Sequence, residues 1–140
     1  MRELLFKAKR ESDGYWVEGF YFERKDTKGI VIDAFIISDG YEQIRYGQRH
    51  FYSALGGNEC HRVLPETVGQ YCLNVKDDKK LFEGEIFHFN GEVFVCRWDQ
   101  GNVEFGAYNK KESMGMAYFP RYDIEIVGNI HDNPELLVNP

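Results

Sequence analysis

The sequence predicts an all-β fold, and three observations carry that prediction. Eleven Phe and nine Tyr in 140 residues favour strands, because ring side chains pack well on a pleated, half-buried surface. Turn signals rich in Gly, Asp and Asn recur about every ten residues, the spacing of sandwiches and barrels. Asn90-Gly91 stands between two apolar-rich runs, "GEIFHF" and "EVFVCRW", which is the strongest short-range hairpin signal. At 43% hydrophobic, the chain has enough apolar content for one domain, or two small lobes, to fold without disulfides.

Taken in order, "LLFKAK" alternates, the turn "SDG" at Ser12 to Gly14 closes it, and "YWVEGFYFE" follows as the partner of a hairpin. "KDTKG" at Lys25 to Gly29 is a second turn. "IVIDAFII" is a third strand, whose near-continuous apolarity predicts burial on both faces. "YEQIRYGQRHFYSAL" has a mixed pattern, and "GGN" at Gly56 to Asn58 marks a loop at which two lobes, 1–57 and 58–140, are expected to divide. With Asn90 and Gly91 as the two loop residues of a type I′ turn, Phe89 faces Glu92, Phe87 faces Phe94, Ile86 faces Val95, His88 faces Val93 and Glu85 faces Cys96. Both faces of that ribbon are apolar, so it must be covered twice, by bending into a small barrel or by packing against another lobe or subunit. "DQGN" at Asp99 to Asn102 turns the chain into "VEFGAY". The last strand alternates through Ile124, Ile126 and Gly128, and Asn133-Pro134 has the chemistry of a cap and first helical residue, so one short helical turn is expected there and nowhere else.

The formal charge of −6 argues against wholesale binding of a phosphate backbone. Cys60, Cys72 and Cys96 are an odd number without close spacing, and "MRELLFKAKRESDG" lacks the apolar core of a secretory signal, so a reduced, cytoplasmic protein is expected. The longest apolar run, "AFII" at Ala34 to Ile37, is far too short to span a bilayer.

Chemistry-bearing motifs are scarce. Zinc is organised by close pairs such as Cys-x2-Cys, and Cys60, His61, Cys72, His88 and Cys96 offer none; the hairpin register also sets His88 and Cys96 on opposite faces. There is no nucleophile elbow, P-loop or dinucleotide fingerprint. Glu83 and Glu85 share a face at period two, which suits strand-edge protection as well as acid/base work. No catalytic, metal or cofactor site is expected. The basic and aromatic run "RYGQRHFY" places Arg45, Arg49 and His50 among Tyr46, Phe51 and Tyr52, a pattern that single-stranded nucleic acid uses, with Lys79 and Lys80 as phosphate contacts. The acidic balance favours the plainer reading, rings to the core and arginines to water.

An ordered set of segments, "MRELLFKAK", "GYWVEGFYF", "VLPETVGQY", "LFEGEIFHF" and "EIVGNIHDNPELL", resembles the YopX family of phage and prophage proteins across nearly the whole chain. The matching positions are Pro65, Thr67, Val68, Gly69 and Gln70, then Glu83, Gly84 and Ile86, then Gly128, Asn129, Ile130, Asn133, Pro134, Glu135 and Leu136. The chain departs from the family at Cys72, Leu73 and Asn74, where Thr-Gly-Leu is usual, at the tip "KDDKK", which lacks a Gly, and at Glu85 in place of Asp. The physics of the matched residues is architectural: Pro65 ends a strand, Thr67 bonds back to nearby backbone, and Gly69 and Gly84 admit bends.

The resemblance implies a two-lobed all-β fold, an N-terminal β lobe and a C-terminal SH3-like barrel, with assembly into oligomers. It implies no activity, ligand or catalytic residue. The expected function is that of a non-enzymatic accessory protein that self-associates and contacts host or phage proteins, with Trp16, Phe20, Tyr46, Phe51 and Trp98 as the rings to test at an interface. The alternative is a small-barrel nucleic-acid binder. No membrane partner is expected.

Overall fold

The structure, a computed structural model, describes residues 4–38, 41–45, 48–52 and 59–137; for 41–45, 48–52 and 59 the backbone alone is described. The chain divides into two compact units, Met1–Gln70 and Tyr71–Pro140.

In the first unit, β1 (Phe6–Lys9) and β2 (Trp16–Lys25) form the expected hairpin, running from Phe6 opposite Gly19 to Lys9 opposite Trp16. Its turn is held by Asp13, whose Oδ1 accepts the Tyr15 amide at 3.0 Å, and Gly14 takes the left-handed conformation at φ 76°. β2 pairs β3 (Val31–Ser38) after a turn in which Asp26 Oδ1 accepts the amides of Lys28 and Ile30. β3 in turn pairs the short β6 (Glu59–Arg62), so the order is β6-β3-β2-β1, with the first two residues of β7 (Gly69–Asn74) beyond β1. β4 (Tyr41–Arg45) and β5 (Gln48–Tyr52) make a separate two-stranded ladder.

Period two along these strands sorts the side chains. Ala8, Val17, Ala34 and Ile36 point to one face and form the core with Val63, packed by Phe6, Tyr21, Val31 and Val68. β3 was expected to be buried on both faces. Its other face is only half covered: Phe35 and Ile37 are partly exposed because their cross-strand neighbours, Phe22 and Phe20, are themselves exposed.

The expected division at 57/58 also shifts. Residues after 58 complete the first unit: β6 bonds to β3, Val63 bridges Arg10, and Leu64 donates its amide to the Lys9 carbonyl at 2.9 Å. The division therefore follows Gln70.

In the second unit, Tyr71 to Asn74 of β7 pairs β8 (Lys80–Phe82), and an antiparallel sheet runs in the order β12-β11-β10-β9-β13. Its strands are β9 (Glu85–Phe89), β10 (Glu92–Asp99), β11 (Glu104–Tyr108), β12 (Ser113–Gly115) and β13 (Glu125–Asn129). The β9–β10 register is the expected one, Phe89 opposite Glu92 through Ile86 opposite Val95, with Asn90 at φ 54° and Gly91 at φ 82° as a type I′ turn requires. Both faces are buried as expected: Phe87 and Phe94 on one, Ile86 and Val95 on the other.

Among the described residues no pairing joins β12 to β13, so the sheet is open and a closed SH3-like barrel is not found. β12 is three residues long and gives way to 3-10 turns at Met116–Tyr118 and Arg121–Asp123, while β13 carries a bulge between Ile126 and Gly128. Phe119, in the segment between those turns, fills the core edge-on against Phe87, Phe89 and Phe94 at centroid distances of 5.8, 5.1 and 5.3 Å. The helical turn expected at the C-terminal end is there, Pro134–Leu137, but 3-10 turns also occur at Pro65–Thr67 and Lys76–Asp78. Each bridges two strands where a proline or charged residues interrupt the alternation.

A methyl group on Gly19 would lie 2.1 Å from the Ile37 carbonyl oxygen, a backbone atom of the next strand. Gly19→Ala therefore forces β2 and β3 apart, and chemical denaturation should show a loss of roughly 1–3 kcal/mol, the range of overpacked core sites. An unchanged denaturation midpoint would refute that close approach.

Candidate functional site

The face of β6-β3-β2-β1 opposite the core is built rung by rung. Phe22 of β2, Phe35 of β3 and Arg62 of β6 stand side by side: the two rings stack at 5.0 Å with an interplanar angle of 21°, and the guanidinium lies 4.8 Å from the Phe35 centroid. The next rung is Phe20, Ile37 and Cys60. Phe20 is 67% exposed and Phe22 45%, which makes this the apolar part of a solvent-facing sheet. On the far side, Lys9 faces Trp16 and Lys7 faces Glu18, with the Lys7 ammonium 4.7 Å and the Lys9 ammonium 5.6 Å from the Trp16 ring.

Charge at the other end is organised by Asp33. It accepts from Arg62 Nη1 at 2.7 Å and from Arg24 Nε at 2.9 Å, with Arg24 Nη2 also bonded. Arg62 first, and Arg24 second, hold the Asp33 carboxyl below the ordinary carboxylate range. The outer face thus carries Lys7, Lys9, Arg24 and Arg62 against Glu18 and Asp33, around an aromatic centre. Beside Arg62, a depression of about 320 Å³ is lined by Arg10, Glu11, Ser12, Cys60, His61 and Arg62. Cys60 is exposed and its neighbour His61 is buried, as period two dictates, so the pair does not converge on one ligand.

The residues singled out in the sequence fall elsewhere. Thr67 Oγ1 accepts the Lys9 amide at 2.9 Å and donates to the Leu64 carbonyl at 2.7 Å, and Val68 donates to the Pro65 carbonyl. Gly69 and Gln70 pair with Lys7 and Phe6. Gly84, at φ 91°, donates to the Cys96 carbonyl at 2.7 Å and accepts the Ile130 amide at 2.9 Å, between the half-buried turn residue Glu83 and the buried Ile86. Asn129 Oδ1 accepts the amides of His131 and Asp132, Asn133 Oδ1 accepts the Asn129 amide, and a methyl on Gly128 would lie 2.6 Å from Asn133 Oδ1. Pro134 then opens the 3-10 turn. These are backbone clamps within their own units, some closing turns and others joining neighbouring segments.

The nucleic-acid candidates are divided between the two units. Arg45 is opposite Gln48, Arg49 opposite Ile44 and His50 opposite Gln43, so the two arginine positions occupy consecutive rungs, which alternate faces in a pleated ladder. Lys79 and Lys80 lie in the second unit, at and after the Lys76–Asp78 turn, where Asp77 and Asp78 take left-handed φ. Of the rings named for an interface, Phe20 is exposed, Trp16 is half-buried beside its lysines, and Trp98 packs on the second core against Phe105. Tyr46 lies outside the described residues, and Phe51 is described only as a backbone position of β5. Phe22, Phe35 and Asp33 went unread in the sequence, although the alternation of "GFYFER" and "IDAFII" was available to find them; Arg62 joins them only through the pairing of β6 with β3.

Among the described residues no group of three or more His, Cys, Asp and Glu side chains is placed to hold a metal, and no helix is long and apolar enough to cross a membrane.

The depressed Asp33 carboxyl has a pH signature. Its folded value lies below the unfolded one, so its contribution is fully present above about pH 4 and is lost as pH falls through the folded value. Asp33→Asn should lower Tm at neutral pH and converge with the parent protein in acid. A difference that persists unchanged below about pH 2 would show that the pair of arginines is not what Asp33 serves.

Comparison with known proteins gives one family. A family model described as "YopX protein" matches residues 6–138. A solved structure, the YopX protein of Bacillus subtilis, is similar at 13% identity and a TM-score of 0.43, over 100% of this chain and 99% of that one. No curated protein matches. With the family model covering almost its whole length, the chain belongs to the YopX family.

Proposed function

We propose that this YopX-family chain is a non-enzymatic accessory protein of a phage or prophage, acting in the cytoplasm by binding a second copy of itself and then host or phage proteins. The observation that supports it is the exposed aromatic rung Phe22–Phe35–Arg62 with Phe20 beside it. A sheet face that leaves two phenylalanine rings in water gains by being covered, about 25 cal/mol for each Å² of apolar surface removed. A second copy fits this face on charge: it carries cations at Lys7, Lys9, Arg24 and Arg62 and carboxylates at Glu18 and Asp33, so a two-fold pairing can bring opposite signs together. In the same reading the second unit's sheet is an SH3-like barrel left open between β12 and β13.

Light scattering across a wide concentration range tests it. The parent protein should associate, and Phe20→Ser with Phe22→Ser should weaken association at least tenfold, or about 1.4 kcal/mol. A strict monomer throughout, or association untouched by the double substitution, overturns the reading.

A second reading has one observation in its favour. The net negative charge is uneven: residues 1–70 hold ten Lys and Arg against eleven Asp and Glu, while 71–140 hold seven against twelve. The unit that carries the aromatic face, Arg45, Arg49 and His50 is thus almost neutral, and a single strand stacking on rings beside Lys7, Lys9 and Arg62 is electrostatically admissible. Fluorescence anisotropy with labelled single- and double-stranded DNA and RNA, at low and physiological salt, decides it. Binding with a steep salt slope, weakened by Arg45→Ala or Arg49→Ala, is the expected result of that reading; no binding at low salt eliminates it.

A further inference from the structure

The β9–β10 turn leaves one asparagine amide unused. Asn90 and Gly91 are both exposed at the tip, at φ 54° and 82°, and the ladder that closes the turn begins beyond them with Phe89 opposite Glu92. The Gly91 amide therefore lies outside the ladder, and a side chain built on Gly91 would meet nothing within 4 Å, so the space around that nitrogen is open. The other described asparagines are engaged. Asn74 donates to Asp78 and Asn102 to Asp99, while the side-chain oxygens of Asn109, Asn129 and Asn133 accept backbone amides. Those five precede Val75, Val103, Lys110, Ile130 and Pro134; the proline has no amide proton, and the others carry a side chain beside the nitrogen. Asn90 is the described asparagine with no side-chain hydrogen bond and the one that precedes glycine.

We propose that Asn90 is a self-modification site of the folded chain: it deamidates through a succinimide formed with Gly91, and the isoaspartate product unlocks the β9–β10 hairpin. Hydroxide takes the Gly91 N–H proton as that nitrogen attacks Asn90 Cγ. The new N–Cγ bond closes a five-membered ring, the Cγ–Nδ2 bond breaks, and Nδ2 leaves as ammonia with a proton from water. Water then opens the ring at one of its two carbonyls. Opening at Cγ gives aspartate on an unchanged backbone. Opening at the main-chain carbonyl gives isoaspartate, in which the backbone runs through Cβ and Cγ and is longer by one carbon. Hydroxide is regenerated, so the sum is one water consumed and one ammonia released, with no change of oxidation state.

The attack needs the Asn90–Gly91 peptide to rotate out of the turn, and an exposed tip with open space beside it allows that without disturbing the ladder. The two products then differ in what they do to the fold. Asp-Gly suits a type I′ turn as Asn-Gly does, whereas the longer backbone of isoaspartate does not fit a two-residue loop whose length sets the register. The misfit falls first on the closing pair, Phe89 and Glu92, and Phe89 is the ring that meets Phe119 at 5.1 Å against the second core. Behind it lie Phe87 and Phe94 on one buried face and Ile86 and Val95 on the other, so the tip is coupled to both.

The full chain, incubated in mildly alkaline buffer, is sampled over time, weighed intact, and mapped by fragmentation that separates aspartate from isoaspartate, with released ammonia measured alongside. The expected result is conversion at position 90 before any other asparagine, with one ammonia per converted chain and isoaspartate among the products. The isoaspartate form, separated by chromatography, should melt roughly 4–8 °C below Asn90→Asp, the shift that a modest loss of stability produces in a unit of this size. Asn90→Gly, whose Gly-Gly tip also suits a type I′ turn, should hold its mass and Tm over the same period. Conversion at position 90 only after denaturant is added, or first conversion at another asparagine, overturns the proposal. An isoaspartate form that melts with Asn90→Asp overturns it equally.

Discussion

Alternation along β2 and β3 is the constraint on which the first unit depends. The buried inward residues are small or aliphatic, Ala8, Val17, Ala34 and Ile36, and the rings of Phe6 and Tyr21 pack against them. Gly19 is required because β3 comes so close that its Ile37 carbonyl occupies the place of a side chain. An inner face this thin has room for few rings, and four others stand outside. Trp16, Phe20, Phe22 and Phe35 lie on the outer face because period two leaves them nowhere else to go once the inner positions are set. The aromatic surface and the compact core are therefore two results of one register. A one-residue slip would exchange them, burying Arg24, Asp33 and Arg62.

Local chemistry was legible in the sequence wherever a turn's chemistry was sufficient. Asn90-Gly91 specified the β9–β10 register because positive φ at both positions admits one hairpin geometry. "SDG" at Ser12 to Gly14 and "KDTKG" at Lys25 to Gly29 did the same for β1–β2 and β2–β3 through Asp13 and Asp26. Long-range matters were not legible. The apolar run of β3 reads as buried on both faces in any window, and only its pairing with Phe20 and Phe22 shows that one face is half in water. Phe119 sits outside any strand, between two 3-10 turns, so no period marks it as the ring on which the second core closes.

The residues that carry the sequence resemblance to the family are engaged by backbone. Thr67, Gly84, Gly128, Asn129 and Asn133 each close a turn or admit a close approach with their hydrogen-bonding capacity directed inward. Groups so engaged have little left to offer a substrate. The surface that remains chemically available, the Phe22–Phe35–Arg62 rung and its flanking charges, contains none of these motif positions. The positions that carry the family resemblance and the exposed aromatic rung are thus different residues, so the former say little about any partner.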